Sequence, residues 1–132
     1  MSESSPPVTV LAVDDQAIFR RTARSLIAAA PGFEQVGEAA TGTEALELAA
    51  DLRPDLVLLD VRMPNMDGIE TARRLRALHP DGVVVLISVE QAPELPSSVA
   101  SVGAAAYLCK QQLSTRTLRE LWAQHQPAQH QP

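Results

Sequence analysis

Short apolar runs alternate with longer segments of helical periodicity along most of the chain. The first run, "VTVLAVDD" at residues 8–15, has the length and composition of a strand. The next segment, "QAIFRRTARSLIAAA", carries Phe19, Ala23 and Ile27 on one helical stripe and is ended by a Pro-Gly pair. The pattern therefore predicts a β-α unit at the start of the chain.

The same alternation continues through the rest of the chain. Further strands are predicted by the runs "FEQVGEA", "DLVLLD", "VVVLISV" and "AAYLC". Helices are predicted by "EALELAADL" with Thr43 as its cap, "GIETARRLRAL", a weak pattern through "SSVASVG", and "STRTLRELWAQ". Because parallel strands need crossovers and bury both faces, this order predicts an α/β fold: a doubly wound five-stranded parallel sheet with helices on both faces.

The length favours one domain. A chain of 132 residues with 45% hydrophobic residues suits a single core. We expect the domain to span 8–124, after a disordered arm at 1–7 and before a disordered, polar tail at 125–132. His125 and His130 of the tail are predicted to be solvated rather than metal-binding.

Charge and composition exclude several classes of partner. The formal net charge of −5 and an aromatic content of 3% argue against direct binding of nucleic acid, which uses cationic and stacking side chains. The chain shows no export signal and no apolar run long enough to span a membrane, so we expect a cytoplasmic protein without membrane contact. Cys109 and Trp122 are predicted in the core, and Arg20, Arg21 and Arg24 on the exposed face of the first helix.

Polar side chains follow four of the predicted strands. They are Asp14 and Asp15, Asp60, Ser88 and Lys110. Each alone has an ordinary explanation as a helix cap, a turn residue or a solvated charge at a strand end. Ligands of such sheets bind beyond the carboxyl ends of the strands, however, and all of these residues are predicted at that one edge.

The chemistry of this set points to a cation and a phosphoryl group. Three carboxylates that lie close together repel one another unless a cation or protons are taken up. Mg²⁺ suits such a cluster, since it prefers oxygen ligands and joins carboxylates to phosphate oxygens. A carboxylate can also attack phosphorus, provided that nearby positive charge neutralises the phosphoryl oxygens. Lys110 supplies such a charge and Ser88 a hydroxyl.

Several motifs occur together in a known order: "VDD" after strand one, "LLDVRMPNMDG" around strand three, Ser88 after strand four, and "YLCK" at strand five. From Val8 to Trp122 the chain resembles the receiver domains of two-component response regulators. The resemblance implies a flavodoxin-like topology. It further implies that Asp60 is the phosphoacceptor, and that Asp14, Asp15, Asp60 and the backbone carbonyl of Arg62 hold Mg²⁺.

The resemblance assigns the remaining site residues as well. Ser88 would contact the phosphoryl group, Lys110 would pair with it, and Tyr107 with Ser88 would form the switch. Pro64 and Gly68 match the positions that shape the loop after the phosphoacceptor. The implied function is a phosphorylation-dependent signalling switch, which is not an enzyme beyond its own phosphorylation and dephosphorylation.

The resemblance also implies the partners. The phosphodonor would be a histidine kinase or a histidine phosphotransfer protein. The target would be a downstream protein or an output domain of the same polypeptide, and a phosphorylation-linked dimer is a further expectation. Both a stand-alone protein and a piece of a longer regulator with a DNA-binding domain stay open.

The chain departs from the family pattern beside the site. Val89 stands where a small residue is usual, and Gln111 follows Lys110 where proline is common. Arg62 and Glu90 each lie two residues beyond a site residue and are expected to flank the site together with Val89. The two charged side chains are expected to pair across the site as a lid that slows hydrolysis of the phosphorylated aspartate. Phosphate loss in Arg62→Ala and Glu90→Ala variants tests this hypothesis, which unchanged rates would refute.

Two other functions stay open at this point. A phosphohydrolase with an aspartyl-phosphate intermediate would need a second acid two residues after the nucleophile, where this chain has Arg62. A receiver-like interaction module that is never phosphorylated is the other alternative. Because all the required side chains are present, it would depend on Val89 closing the site.

Overall fold

The computed structural model describes residues 6–61, 68–88 and 104–125. The strands are β1 (Val8–Val13), β2 (Phe33–Ala39), β3 (Leu56–Asp60), β4 (Val83–Ser88) and β5 (Ala106–Cys109). The helices are α1 (Ala17–Ala29), α2 (Gly42–Leu52), α3 (Gly68–Leu78) and α4 (Thr115–His125), with a 3-10 turn at Lys110–Gln112. The weak helix predicted through "SSVASVG" lies outside the described residues.

The five strands form one sheet in the order β2-β1-β3-β4-β5. Every neighbouring pair is parallel. The structure therefore confirms the predicted doubly wound parallel sheet. The chain moves from β1 to one side to form β2 and then to the other side to form β3. This reversal opens a crevice at the carboxyl ends of β1 and β3, where ligands of such folds bind.

Within the described ranges, two helices pack on each face of the sheet. Leu11 and Val13 point to one face, where Ala45 and Ala49 of α2 and residues of α3 pack. Val10 and Ala12 point to the other face, where residues of α1 and α4 pack. The continuous apolar strands of the sequence are thus explained by two cores, one on each side of the sheet.

Two boundaries differ from the sequence-based prediction. The side chain of Thr41, not Thr43, caps α2 by accepting a hydrogen bond from the backbone N–H of Glu44. Thr43 is exposed within the first turn, so the predicted cap was wrong by two residues. Helix α4 includes His125, the first residue that the sequence analysis assigned to the tail. No helix among the described residues has the length and apolar character to cross a membrane.

A polar clasp joins β1 to the start of β3 at the amino ends of the strands. The Thr9 hydroxyl donates to Asp55 Oδ2 at 3.1 Å and accepts from the Asp55 backbone N–H at 2.9 Å. The backbone N–H of Thr9 donates to the same carboxylate oxygen at 2.9 Å. Because this clasp lies at the end of the sheet opposite to the strand-end acids, its role is structural.

Candidate functional site

The structure brings the three predicted acids together at the carboxyl edge of the sheet. Carboxylate oxygens of Asp14, Asp15 and Asp60 lie within 4.8 Å of one another. Asp60 is the last residue of β3 and, like Asp14, is buried, whereas Asp15 is exposed. The cluster therefore has a rigid, buried side built on two central strands and one side that faces water.

Asp14 is fixed by contacts to three of its groups. Its backbone N–H donates to the Ala39 carbonyl at 3.0 Å and continues the β1–β2 ladder. Its backbone carbonyl accepts from Arg20 Nη1 at 2.7 Å, and its Oδ1 accepts from the Gln16 backbone N–H at 2.8 Å. Within the described residues, Oδ2 of Asp14 is buried without a well-directed hydrogen bond.

Lys110 supplies the positive charge of the site. Its Nζ lies 2.7 Å from Asp14 Oδ2 and 3.7 Å from Asp60 Oδ2, and its side chain is only 9% exposed. The contact with Asp14 is close enough for an ion pair, although it lacks the direction of a hydrogen bond. One ammonium against two buried carboxylates leaves a net negative charge, to which the exposed Asp15 adds.

Ser88 lies on β4, the strand beside Asp60, and Tyr107 lies on β5, the next strand along. Ser88 is buried at the end of β4, where it pairs with Cys109, the residue before Lys110. Tyr107 pairs with Leu86 and is half-buried against the core on the α2–α3 face of the sheet. The predicted switch residues are thus on adjacent strands, with Tyr107 paired two residues before Ser88. The site-flanking residues Arg62, Val89 and Glu90 and the loop residue Pro64 lie outside the described residues.

Gly68 is required by a close backbone approach. A Cβ at this position would lie 2.4 Å from the Val61 Cα and 2.5 Å from the Asp60 carbonyl oxygen. The Gly68 backbone N–H also donates to the Val61 carbonyl at 2.9 Å. The start of α3 is therefore seated directly on the backbone that follows Asp60, and a side chain would push the two apart.

Sequence reasoning missed the part that α1 plays in the site. Arg20 was expected to be solvated, but its guanidinium contacts the Asp14 carbonyl and lies 3.6 Å from Glu38 Oε1. Arg24 binds the other carboxylate oxygen of Glu38. The hydrogen bond from Arg24 lowers the pKa of Glu38 below its ordinary value, against the opposing effect of burial. The available signal was the spacing: Arg20 follows Gln16 by one helical turn, so both face the edge that holds Asp14.

The donor set suits a hard divalent cation. Mg²⁺ prefers oxygen ligands, keeps several waters, and binds to one or two protein carboxylates rather than to a closed protein cage. Asp14 offers a buried oxygen without an aligned hydrogen bond, and Asp15 leaves the cluster open to water. The residues therefore fit Mg²⁺, with Asp14, Asp15 and Asp60 as the carboxylates that would hold it. The contribution of the Arg62 carbonyl stays a prediction.

This fold and this cluster of acids define a class of protein, and sequence comparison agrees with it. The family described as "Response regulator receiver domain" matches residues 10–122. The chain therefore belongs to the response regulator receiver domains, and the resemblance seen in its motifs is confirmed.

The chain is similar to the receiver part of several larger regulators. It is 39% identical over 103 residues to the response regulator GacA of Pseudomonas viridiflava and 41% identical over 104 residues to the nitrate/nitrite response regulator NarL of Escherichia coli K12. These matches cover 78% and 79% of this chain but 48% of each relative. The chain thus spans about half the length of these relatives.

Solved structures agree in fold. The signal receiver domain of NarL from Mycobacterium tuberculosis has a TM-score of 0.82 at 32% identity, with 92% of this chain and 98% of that one covered. The CheX-CheY-BeF3-Mg²⁺ complex of Borrelia burgdorferi has a TM-score of 0.78 at 26% identity, with 89% and 88% covered. The same overall arrangement of sheet and helices therefore occurs in regulators of different kinds.

Proposed function

We propose that this receiver domain is a phosphorylation-dependent switch of a two-component system, which accepts a phosphoryl group on Asp60 in the presence of Mg²⁺. One observation carries the proposal: three carboxylates within 4.8 Å at the end of β1 and β3, with the Lys110 ammonium beside them. A buried cluster of acids costs stability unless cations compensate it, so its presence at a ligand-binding edge argues for function.

The roles of the side chains follow from their positions. A carboxylate oxygen of Asp60 would attack phosphorus and form an acyl phosphate, while the bond from phosphorus to the donor breaks and the leaving group departs with its electron pair. Strand β3 holds Asp60 rigidly for this attack. Lys110 would pair with the phosphoryl oxygens, and the Ser88 hydroxyl would donate to them. Mg²⁺, when bound, would neutralise charge on the acids and the phosphoryl group.

The added phosphoryl charge would act on the neighbouring strands. A phosphoryl group brings roughly −1.5 to −2 charges to the site. We infer that Ser88 moves towards it and that Tyr107, on the next strand, turns into the space released. Amide hydrogen exchange with and without a beryllofluoride mimic would test this, since protection should change most between residues 89 and 107. Equal protection in both states would refute the switch.

The donor in this proposal is a phosphohistidine on a histidine kinase or a phosphotransfer protein. Full-length GacA and NarL are about twice as long as the matched region, which supports an output domain of the same polypeptide as the target. A separate downstream protein is the alternative target. A dimer formed on phosphorylation would also carry the signal. We place the protein in the cytoplasm, where such kinases present their phosphohistidine, and assign it no catalytic activity on other substrates.

Phosphorylation by a small acyl phosphate or amidophosphate donor tests this proposal. We expect one phosphoryl group per chain by intact mass, with an acid-labile bond, only when Mg²⁺ is present. An Asp60→Asn protein should take up none. A phosphohydrolase would instead release phosphate with many turnovers, and an interaction module would take up none in either form. Uptake by Asp60→Asn at the normal rate would refute the assignment.

A further inference from the structure

The ammonium group of Lys110 contacts two side chains at the start of α1 that are not acids: Gln16, the N-cap of the helix, and Phe19 in its first turn. The Oε1 atom of Gln16 accepts a hydrogen bond from Lys110 Nζ at 3.0 Å. The ring of Phe19 lies under the same nitrogen, with 4.3 Å between Nζ and the ring centroid. This separation is within the range of a cation–π interaction, which strengthens when the cation is shielded from water.

These two contacts hold the ammonium on one side of the cluster of acids. Nζ lies 2.7 Å from Asp14 but 3.7 Å from Asp60. Gln16 also fixes the carboxylate of Asp14, because its backbone N–H binds Oδ1. One residue thus orients the carboxylate through its backbone and the ammonium through its side chain. Phe19 follows one turn later and closes the space beneath Nζ.

We propose that Gln16 and Phe19 are positioning residues, which keep Lys110 paired with Asp14 in the resting protein and so lower the affinity of the site for its divalent cation. The proposal rests on the proposed function, in which Asp14 helps to hold Mg²⁺. The cation and the ammonium compete for the same buried carboxylate oxygen, Oδ2 of Asp14. Every contact that favours the ammonium there must be given up when the metal binds.

The test compares Phe19→Leu with the matched variant Phe33→Leu. Leucine keeps an apolar side chain under Lys110 but removes the aromatic face. Phe33 is the other phenylalanine of the chain and packs on the same face of the sheet, but it lies at the amino end of β2. Mg²⁺ dissociation constants are measured from the amide NMR shifts of Asp15 and Val61 during titration.

We expect Phe19→Leu to bind Mg²⁺ about two- to tenfold more tightly than the native protein, the range set by typical cation–π strengths. Phe33→Leu should show native affinity. Phe19→Tyr, which keeps the aromatic face, should stay close to native, and Gln16→Ala should shift in the same direction as Phe19→Leu. Native or weaker affinity in both Phe19→Leu and Gln16→Ala would overturn the proposal.

A spectroscopic measurement reports the contact itself. In metal-free protein the ε-methylene protons of Lys110 should be shifted upfield by the Phe19 ring. Phe19→Leu should remove this shift, and Phe33→Leu should leave it. Unshifted protons in the native protein would refute the placement of Lys110 over the ring, whether or not Mg²⁺ binds.

A double-mutant cycle with Lys110→Met separates competition from a general effect on the site. Without the ammonium, Phe19→Leu should no longer change Mg²⁺ affinity; an unchanged gain would overturn the proposal. Failure of the proposed function looks different. If the native protein bound no Mg²⁺, or if Asp15→Asn bound it as tightly as native protein, the metal site would be wrong, and the ring-current shift would still decide where Lys110 lies.

Discussion

Replacing Gly68 with alanine tests how the start of α3 is seated behind the phosphoacceptor strand. The new Cβ would lie 2.4 Å from the Val61 Cα. Ordinary contact between carbon atoms begins near 3.4 Å, so the two backbones must separate by roughly 1 Å. Both are backbone atoms, which cannot turn aside as a flexible side chain would. The hydrogen bond from Gly68 to the Val61 carbonyl would be stretched at the same time.

Two effects of this substitution have opposite signs. Alanine is a better helix former than glycine by up to about 1 kcal/mol, which alone would stabilise α3. Forcing an extra methyl group into a filled site typically costs about 1–3 kcal/mol. Subtracting the helix gain from this cost leaves a net loss of up to about 2 kcal/mol, so we expect the melting temperature to fall by up to about 8 °C, at roughly 4 °C per kcal/mol for a domain of this size.

Function should suffer more than stability. A shift at Val61 displaces Asp60, and an error of about 1 Å in a reacting group can cost up to about 100-fold in rate. Thermal unfolding and the rate of phosphoryl uptake from a small donor are measured in parallel. The matched control is Gly37→Ala, whose Cβ would meet the flexible side chains of three leucines, the nearest at 3.2 Å. A Gly68→Ala protein as stable and as active as this control would refute the reasoning.

Three further substitutions test separate parts of the molecule. Thr9→Val should lower the free energy of unfolding, measured in urea, by about 1–3 kcal/mol, because the Thr9 hydroxyl no longer accepts from the Asp55 backbone N–H. It should not slow phosphoryl uptake. A slower uptake would contradict a purely structural role for the Thr9–Asp55 clasp. Asp15→Asn should weaken Mg²⁺ binding but change the free energy of unfolding by no more than about 0.5 kcal/mol, since the side chain is exposed. A large loss of stability would contradict the assignment of Asp15 to metal binding alone. The pKa of Glu38 is lowered chiefly by the Arg24 hydrogen bond. The ionised Glu38 therefore stabilises the folded protein fully above the pKa of an unfolded glutamate, about 4.3. This stabilisation is lost as pH falls through the lower pKa of the folded state. Glu38→Gln should therefore lower stability at neutral pH and reduce the loss of stability on acidification, whereas the exposed control Glu47→Gln should do neither. Identical pH profiles of stability for the two variants would refute the stabilising role of Glu38.

The architecture could be predicted from the sequence because its signals are local and repeated. Parallel strands that are buried on both faces are apolar throughout, and the helices between them show their own periodicity. The cap of α2 was misplaced because both threonines lie at the start of the helix, Thr41 just before its first residue and Thr43 in its first turn. The extended backbone of Thr41 lets its side chain accept from the N–H of Glu44.

The site could be predicted only in part. Asp14, Asp15, Asp60, Ser88 and Lys110 were expected at one edge because they end strands, and the structure brings them there. The surroundings of Lys110 could not be predicted, because Gln16 lies 94 positions away from it in sequence and only the tertiary fold makes them neighbours. The support that Arg20 gives to the Asp14 carbonyl was signalled only by its spacing, one helical turn after Gln16.

Locating the modified residue tests directly whether Asp60 is the phosphoacceptor. The protein is treated with a small phosphodonor and Mg²⁺, the acyl phosphate is reduced with borohydride to a stable alcohol, and the peptides are sequenced by mass spectrometry. We expect reduction at Asp60 in samples with Mg²⁺ and at no residue when the metal is chelated. Modification at Asp14 or Asp15 instead, or equal modification of Asp60 without metal, would contradict it.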